Sequence, residues 1–198
     1  MSSLETSPTL IGALWSPDAR ASVPAKLFRL AVLAVTGTLL LALSAQISVP
    51  MWPVPMTMQT FAVMVIGAAY GGRLGGATVA LYLAEGAVGL PVFANGGGVA
   101  SLIGPTAGYL FAFVVAAAVI GWLLEKGWGQ SVAKIALAML IGNILIFAGG
   151  VGWLSTFTGI EKAMDLGLFP FVPGGVFKLA LAVAVLPIAW KLIEKFRL

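Results

Sequence analysis

The chain has 198 residues, of which 60% are hydrophobic and 9% charged, with a mean hydropathy of +1.06. A water-soluble domain carries about a quarter charged residues, so this is an integral membrane protein. It has neither Cys nor His, which removes disulfides, thiol nucleophiles, the usual zinc sites and imidazole acid/base chemistry. Eleven Lys and Arg against seven Asp and Glu give +4, a sparse set that reads as topology determinants and not as a nucleic-acid footprint.

Residues 1–24, with Ser2, Ser3, Ser7, Pro8, Ser16, Pro17 and Pro24, are polar, punctuated by proline and without an apolar helical face. They are expected to form a cytoplasmic extension ahead of one membrane domain over 25–198. The apolar run Leu27 to Ile47 exceeds the core of a signal peptide, about 7 to 15 residues, and is long enough to span roughly 30 Å of hydrocarbon. It is the first expected transmembrane helix. Glycine, proline and charge clusters cut five more, at 58–71, 74–90, 105–124, 132–152 and 172–193.

The basic residues test this division, because cytoplasmic loops are enriched in Lys and Arg. With the amino terminus inside, Arg20, Lys26, Arg29, Arg73, Lys126, Lys134, Lys191, Lys195 and Arg197 fall on the cytoplasmic side, nine of the eleven, and only Lys162 and Lys178 lie outside. The expectation is an all-α integral membrane protein with six transmembrane helices and both termini cytoplasmic. Three loops then face outward: Ser48 to Thr57, Pro91 to Gly104 and Trp153 to Pro173. Proline resists helix and glycine permits close backbone approach to a ligand, so these loops are either an external binding site or simple exposed connections.

Several side chains in the apolar runs demand a reason. Lys178 lies in the outer half of the sixth run, where a cation near a span's centre costs about 2.5 to 3.5 kcal/mol. It either pairs with an anionic ligand entering from outside or snorkels to the headgroups. Glu85 has a similar depth in the third run and is read as a partner of Lys178, a ligand contact or a solvated group. Asn143 would be unsatisfied in lipid and is expected to hold helices together, while Ala34, Thr38 and Ala42 form a small-residue stripe suited either to internal packing or to docking another membrane subunit. The sixth run contains Gly174 and Gly175, the fourth starts at Gly104, Pro105 and Thr106 with a helix amino terminus turned outward, and Asn95 precedes Gly96, Gly97 and Gly98. No G-x-x-x-x-G-K-[ST] phosphate loop occurs, so any energy for transport comes from another subunit. Nor is there an inverted repeat of the kind that builds secondary transporters.

Four ordered motifs carry a resemblance: AQISVPMWPVPMTMQT at 45–60, LYLAEGAVGLPVFANGGG at 81–98, GPTAGYL at 104–110 and FPFVPGGVFK at 169–178. Together they resemble the BioY family, the substrate-binding S components of energy-coupling factor biotin transporters, over residue 27 to the end. The resemblance implies biotin capture at the outer face of a bacterial plasma membrane, no enzymatic chemistry and no cofactor. It also implies partnership with a transmembrane T component and ABC-type ATPases, and a first outer loop that closes over the vitamin. By analogy Gln59, Tyr82, Asn95, Gly97, Gly98, Tyr109 and Lys178 line the site, with Glu85 as a further ligand-binding candidate. Two departures stand out. The family's last motif usually reads P-G-D-x-x-K, whereas Pro173 and Gly174 are followed here by Gly175, so an Asp is missing whose charge Glu85 could replace through space. The two alanines that the family often places four apart on its first helix are represented by Thr38 and Ala42. The alternatives are an S component for another vitamin and, from a different class, an intramembrane enzyme with Glu85 as its carboxylate.

Overall fold

In hydrocarbon every backbone N–H and C=O must be satisfied within the protein, and apolar runs of this length meet that demand as helices. The computed structural model, which describes residues 9–14 and 22–196, is accordingly built of helices: α1 (Leu10–Leu14), α2 (Val23–Gln46), α3 (Gln59–Tyr70), α4 (Gly72–Ala87), α5 (Ala100–Ile103), α6 (Ala107–Glu125), α7 (Val132–Thr158), α8 (Ile160–Gly167) and α9 (Val172–Phe196). A two-stranded hairpin, β1 (Ser48–Val49) and β2 (Met56–Thr57), pairs antiparallel between α2 and α3, with Ser48 opposite Thr57. Arg20, Arg197 and both chain ends, on which part of the expected topology rests, lie outside the described residues.

Helix α6 occupies the centre, packed by α7, α4 and α3. It can do so because its contact positions are small: Gly108, Ala112, Ala116, Ala117 and Gly121 are all buried. A Cβ on Gly121 would strike the backbone of Gly67, Gly71 and Gly72, so the joint between α3 and α4 crosses α6 backbone to backbone. Gly71 turns that joint at φ +83°, a conformation that favours glycine, and the Gly72 N–H is capped by Glu125 Oε1 at 3.1 Å.

Among the described residues four segments are long and apolar enough to cross a membrane: Val23–Gln46, Ala107–Glu125, Val132–Thr158 and Ile160–Ala189. Helices α3 and α4, at 12 and 16 residues, rise about 18 and 24 Å and are shorter than the roughly 20 residues a full crossing takes. The outward surface is apolar, with Leu27, Phe28, Leu39, Leu43, Phe111, Val115, Ile144 and Ile188 all exposed, as a lipid-facing belt requires.

The structure departs from the sequence reading in two places and decides between alternatives in a third. The third outer loop is mostly helical. Gly149, Gly150 and Gly152 suggested an end near residue 152, yet α7 runs on to Thr158 and α8 follows after Gly159. Two of those glycines are packing positions and not helix stops: a Cβ on Gly150 would enter the Tyr109 ring, and one on Gly149 would lie 2.8 Å from the Ala112 Cβ. Within residues 1–24, α1 buries Leu10 in a cluster with Met64, Ala68, Ile120 and Leu186, so the extension does contribute an apolar face. The stripe on α2 is turned inward at Thr38, which is buried, and the neighbouring Gly37 faces Thr78 and Tyr70.

Candidate functional site

The hairpin, the loop 88–106 and the starts of α6 and α9 gather at one end of the helices, opposite the end where Gly72 meets Glu125. Between them lies a partly enclosed cavity. Its wall is largely aromatic and aliphatic: Val54, Phe93, Leu110, Phe113, Ile146, Phe147 and Phe171, with Tyr109. Tyr109 stacks near Phe171 at 6.4 Å between ring centroids and meets Phe147 edge-on at 6.5 Å. Its hydroxyl donates to the Gly167 carbonyl at 2.7 Å, which anchors α8 to the wall.

The polar groups lie on a connected network. Lys178 on α9 is only 6% exposed, and its Nζ donates to the Thr57 carbonyl at 2.8 Å. The ammonium is therefore held at the cavity wall by the hairpin and does not snorkel away along its stem. Thr57 also donates its hydroxyl to Gln59 Oε1 at 3.0 Å and accepts the Gln59 backbone N–H at 3.2 Å. Gln59 Nε2 donates to the Tyr82 hydroxyl at 2.8 Å, and Tyr82 donates in turn to the Val92 carbonyl at 2.8 Å. Five residues from α9, β2, α3, α4 and the following loop are thereby tied together.

Of the residues singled out by sequence, Gln59, Asn95, Thr106, Tyr109 and Lys178 line the cavity. Tyr82 is fully buried behind Gln59 and outside the wall. Glu85, Gly97 and Gly98 also stand outside it. Glu85 is half-buried one turn beyond Tyr82, and among the described residues no ion pair joins it to Lys178. The glycines instead shape the loop: Gly98 N–H donates to the Gly86 carbonyl at 2.7 Å, and a Cβ on Gly97 would meet the Leu90 carbonyl. Phe93 and Gly96 pair across the turn that carries Asn95. At Gly175 a side chain would begin 3.4 Å from Asn143 Nδ2 and 3.5 Å from the Phe147 ring. Asn143 Oδ1 is buried without a hydrogen-bond partner among the described residues, so only part of its amide can serve as interhelical glue.

The wall residues that sequence reasoning did not single out include Thr57, Thr60, Phe93, Phe113, Phe147 and Phe171. In apolar runs an aromatic facing a cavity has the same pattern as one facing a neighbouring helix. Thr57 had a local signal, lying two residues before Gln59 at the end of the proline-rich loop.

The BioY family profile matches residues 18–195. The chain belongs to the BioY family. Among its relatives, the Biotin transporter BioY of Thermotoga maritima is 42% identical over 150 residues, covering 75% of this chain and 88% of that protein. A Pyrococcus horikoshii protein named "Probable biotin transporter BioY" is 40% identical over 148 residues, covering 74% and 86%. The fold is similar to the crystal structure of an S-component for biotin from an ECF-type ABC transporter, with a TM-score of 0.77 and 27% identity over 86% of this chain and 95% of that one. In this BioY chain the four resemblance motifs contribute the hairpin, α4 with its following loop, the start of α6 and the start of α9. These are the elements around the cavity.

Proposed function

We propose that this BioY chain binds biotin and serves as the S component of an energy-coupling factor transporter, delivering the vitamin across the plasma membrane without covalent chemistry. The observation that carries the reading is the structural likeness, at a TM-score of 0.77, to an S-component for biotin, supported by relatives named as biotin transporters. The cavity suits the ligand. Its aromatic walls fit an apolar bicyclic ring and chain, Lys178 fits the valerate carboxylate, and the amides of Gln59 and Asn95 supply directed hydrogen bonds. The hairpin carrying Val54, Pro55 and Thr57 forms part of the wall and acts as the cover over bound biotin.

The same reading gives residues 25–198 as one six-crossing domain with both termini cytoplasmic, α3 and α4 being two short crossings joined at Gly71. The cavity opens outward. A T component and ABC-type ATPases supply the energy, consistent with the assembly named for the structural relative. Mass spectrometry of small molecules released from the purified, detergent-extracted protein tests the ligand: biotin is expected, and a different vitamin in its place overturns the assignment.

A further inference from the structure

The Val92 carbonyl can only accept a hydrogen bond, so the Tyr82 hydroxyl 2.8 Å away gives it its single proton. What Tyr82 then offers Gln59 is a lone pair. The Gln59 atom 2.8 Å from that oxygen must therefore be the amide nitrogen, and the carbonyl half faces the Thr57 hydroxyl, which donates to it. A glutamine amide can ordinarily turn over, because its two halves have nearly the same shape. Here the Tyr82 side has one polarity, because its proton is committed to the Val92 carbonyl, and the Thr57 hydroxyl complements it by donating to the other half. Gln59 is 4% exposed and sits in the cavity wall, and its second Nε2–H has no acceptor among the described residues. Tyr82 is 0% exposed and outside the wall.

We infer that Tyr82 is a positioning residue that never touches the ligand: with the Val92 carbonyl it locks the Gln59 amide N–H toward the cavity, so that Gln59 and Lys178 present two donors to the carboxylate end of the ligand. Thr57 brings the two donors together, since Lys178 is held at its carbonyl and Gln59 at its hydroxyl. Two converging donors favour an ionised carboxylate over a carboxamide, which brings N–H groups of its own in place of one acceptor oxygen. This inference rests on the biotin reading above and adds to it the residue that sets the polarity of one end of the site.

The test is calorimetric titration of the purified full chain with biotin and with biotin carboxamide, for wild type, Tyr82→Phe and Gln59→Glu. Tyr82→Phe keeps the ring that packs edge-on against Phe93 at 5.3 Å and removes the hydroxyl that orients Gln59. The wild-type preference for biotin over the carboxamide should fall about tenfold, because the freed amide can turn its oxygen toward the carboxamide N–H. An equal weakening of both ligands, with the ratio unchanged, overturns the inference and leaves Tyr82 a structural residue. Gln59→Glu leaves Tyr82 in place and offers acceptors only; it should reverse the preference, and a retained preference for biotin overturns the inference even if Tyr82→Phe does not fold. Wild type binding neither ligand defeats the biotin reading itself. Wild type binding both equally defeats the two-donor carboxylate assignment while biotin binding stands.

Discussion

Lys178 reaches the cavity wall from within an apolar helix and takes a carbonyl, not a carboxylate, as its partner. Among the described residues no carboxylate pairs with a cation so placed, and an anionic ligand completes it. Lys178→Met preserves most of the apolar length, so it separates charge pairing from packing. Biotin affinity should drop by about 2 to 5 kcal/mol, toward the lower figure where water reaches the carboxylate. The loss should be selective for the carboxylate: the carboxamide binds wild type more weakly and should change much less. Titrating both ligands on both proteins completes a double-mutant cycle. A coupling within about 0.5 kcal/mol of zero would move the carboxylate partner from Lys178 to Thr106, which lines the same cavity at the start of α6.

Glycine sets how closely the elements approach, and two positions make this measurable. Gly86 on α4 leaves the space that the Phe93 ring fills; a Cβ there would overlap three atoms of that ring. Because Phe93 both lines the cavity and packs on Tyr82, Gly86→Ala should displace the loop that carries Asn95. Overpacking of this kind costs about 1 to 3 kcal/mol. The expected outcome is weaker biotin binding by titration together with a lowered melting temperature. Gly121→Ala meets backbone instead of a movable ring, at the end of the helices away from the cavity. Thermal denaturation should show a larger loss of stability than for Gly86→Ala, and whatever protein remains folded should bind biotin normally. Normal stability of Gly121→Ala would contradict the backbone crossing of α6 by the α3–α4 joint.

For the molecule in its membrane, nine of eleven basic residues assigned to one side predict that reporters fused at residue 10 and residue 198 both read as cytoplasmic. An external carboxyl terminus would end the six-crossing arrangement. The two end reporters do not distinguish how the short α3 and α4 are used, since treating them as one re-entrant unit would leave four crossings and the same side for both ends. A third reporter, at Arg73 beside the joint, distinguishes the two: cytoplasmic for two separate crossings, external for a re-entrant pair. The sequence also lacks a phosphate loop, so the purified chain should hydrolyse no ATP, while reconstitution with T and ATPase subunits should confer ATP-driven biotin uptake. Accumulation against a gradient by the chain alone, without ATP, would contradict that division of labour.

The apolar runs and the four family motifs were enough to locate the long helices, the family and most of the loops around the cavity. Local composition carries that information: a helix in lipid must be continuous and apolar, and a chain that turns needs proline, glycine or charge. The end of α7 escaped this logic because glycine has two roles, breaking helices in one context and admitting the Tyr109 ring in another, and only the packed partner tells them apart. The site divides in the same way. Gln59, Asn95, Tyr109 and Lys178 were legible as unusual residues at motif positions. Their grouping on one wall, the placement of Tyr82 behind it, the position of Glu85 off that wall and the polarity of the Gln59 amide depend on which residues 20 to 120 positions apart come within hydrogen-bonding distance. Such distances follow from how the helices cross and pack, and no local pattern along the chain encodes them.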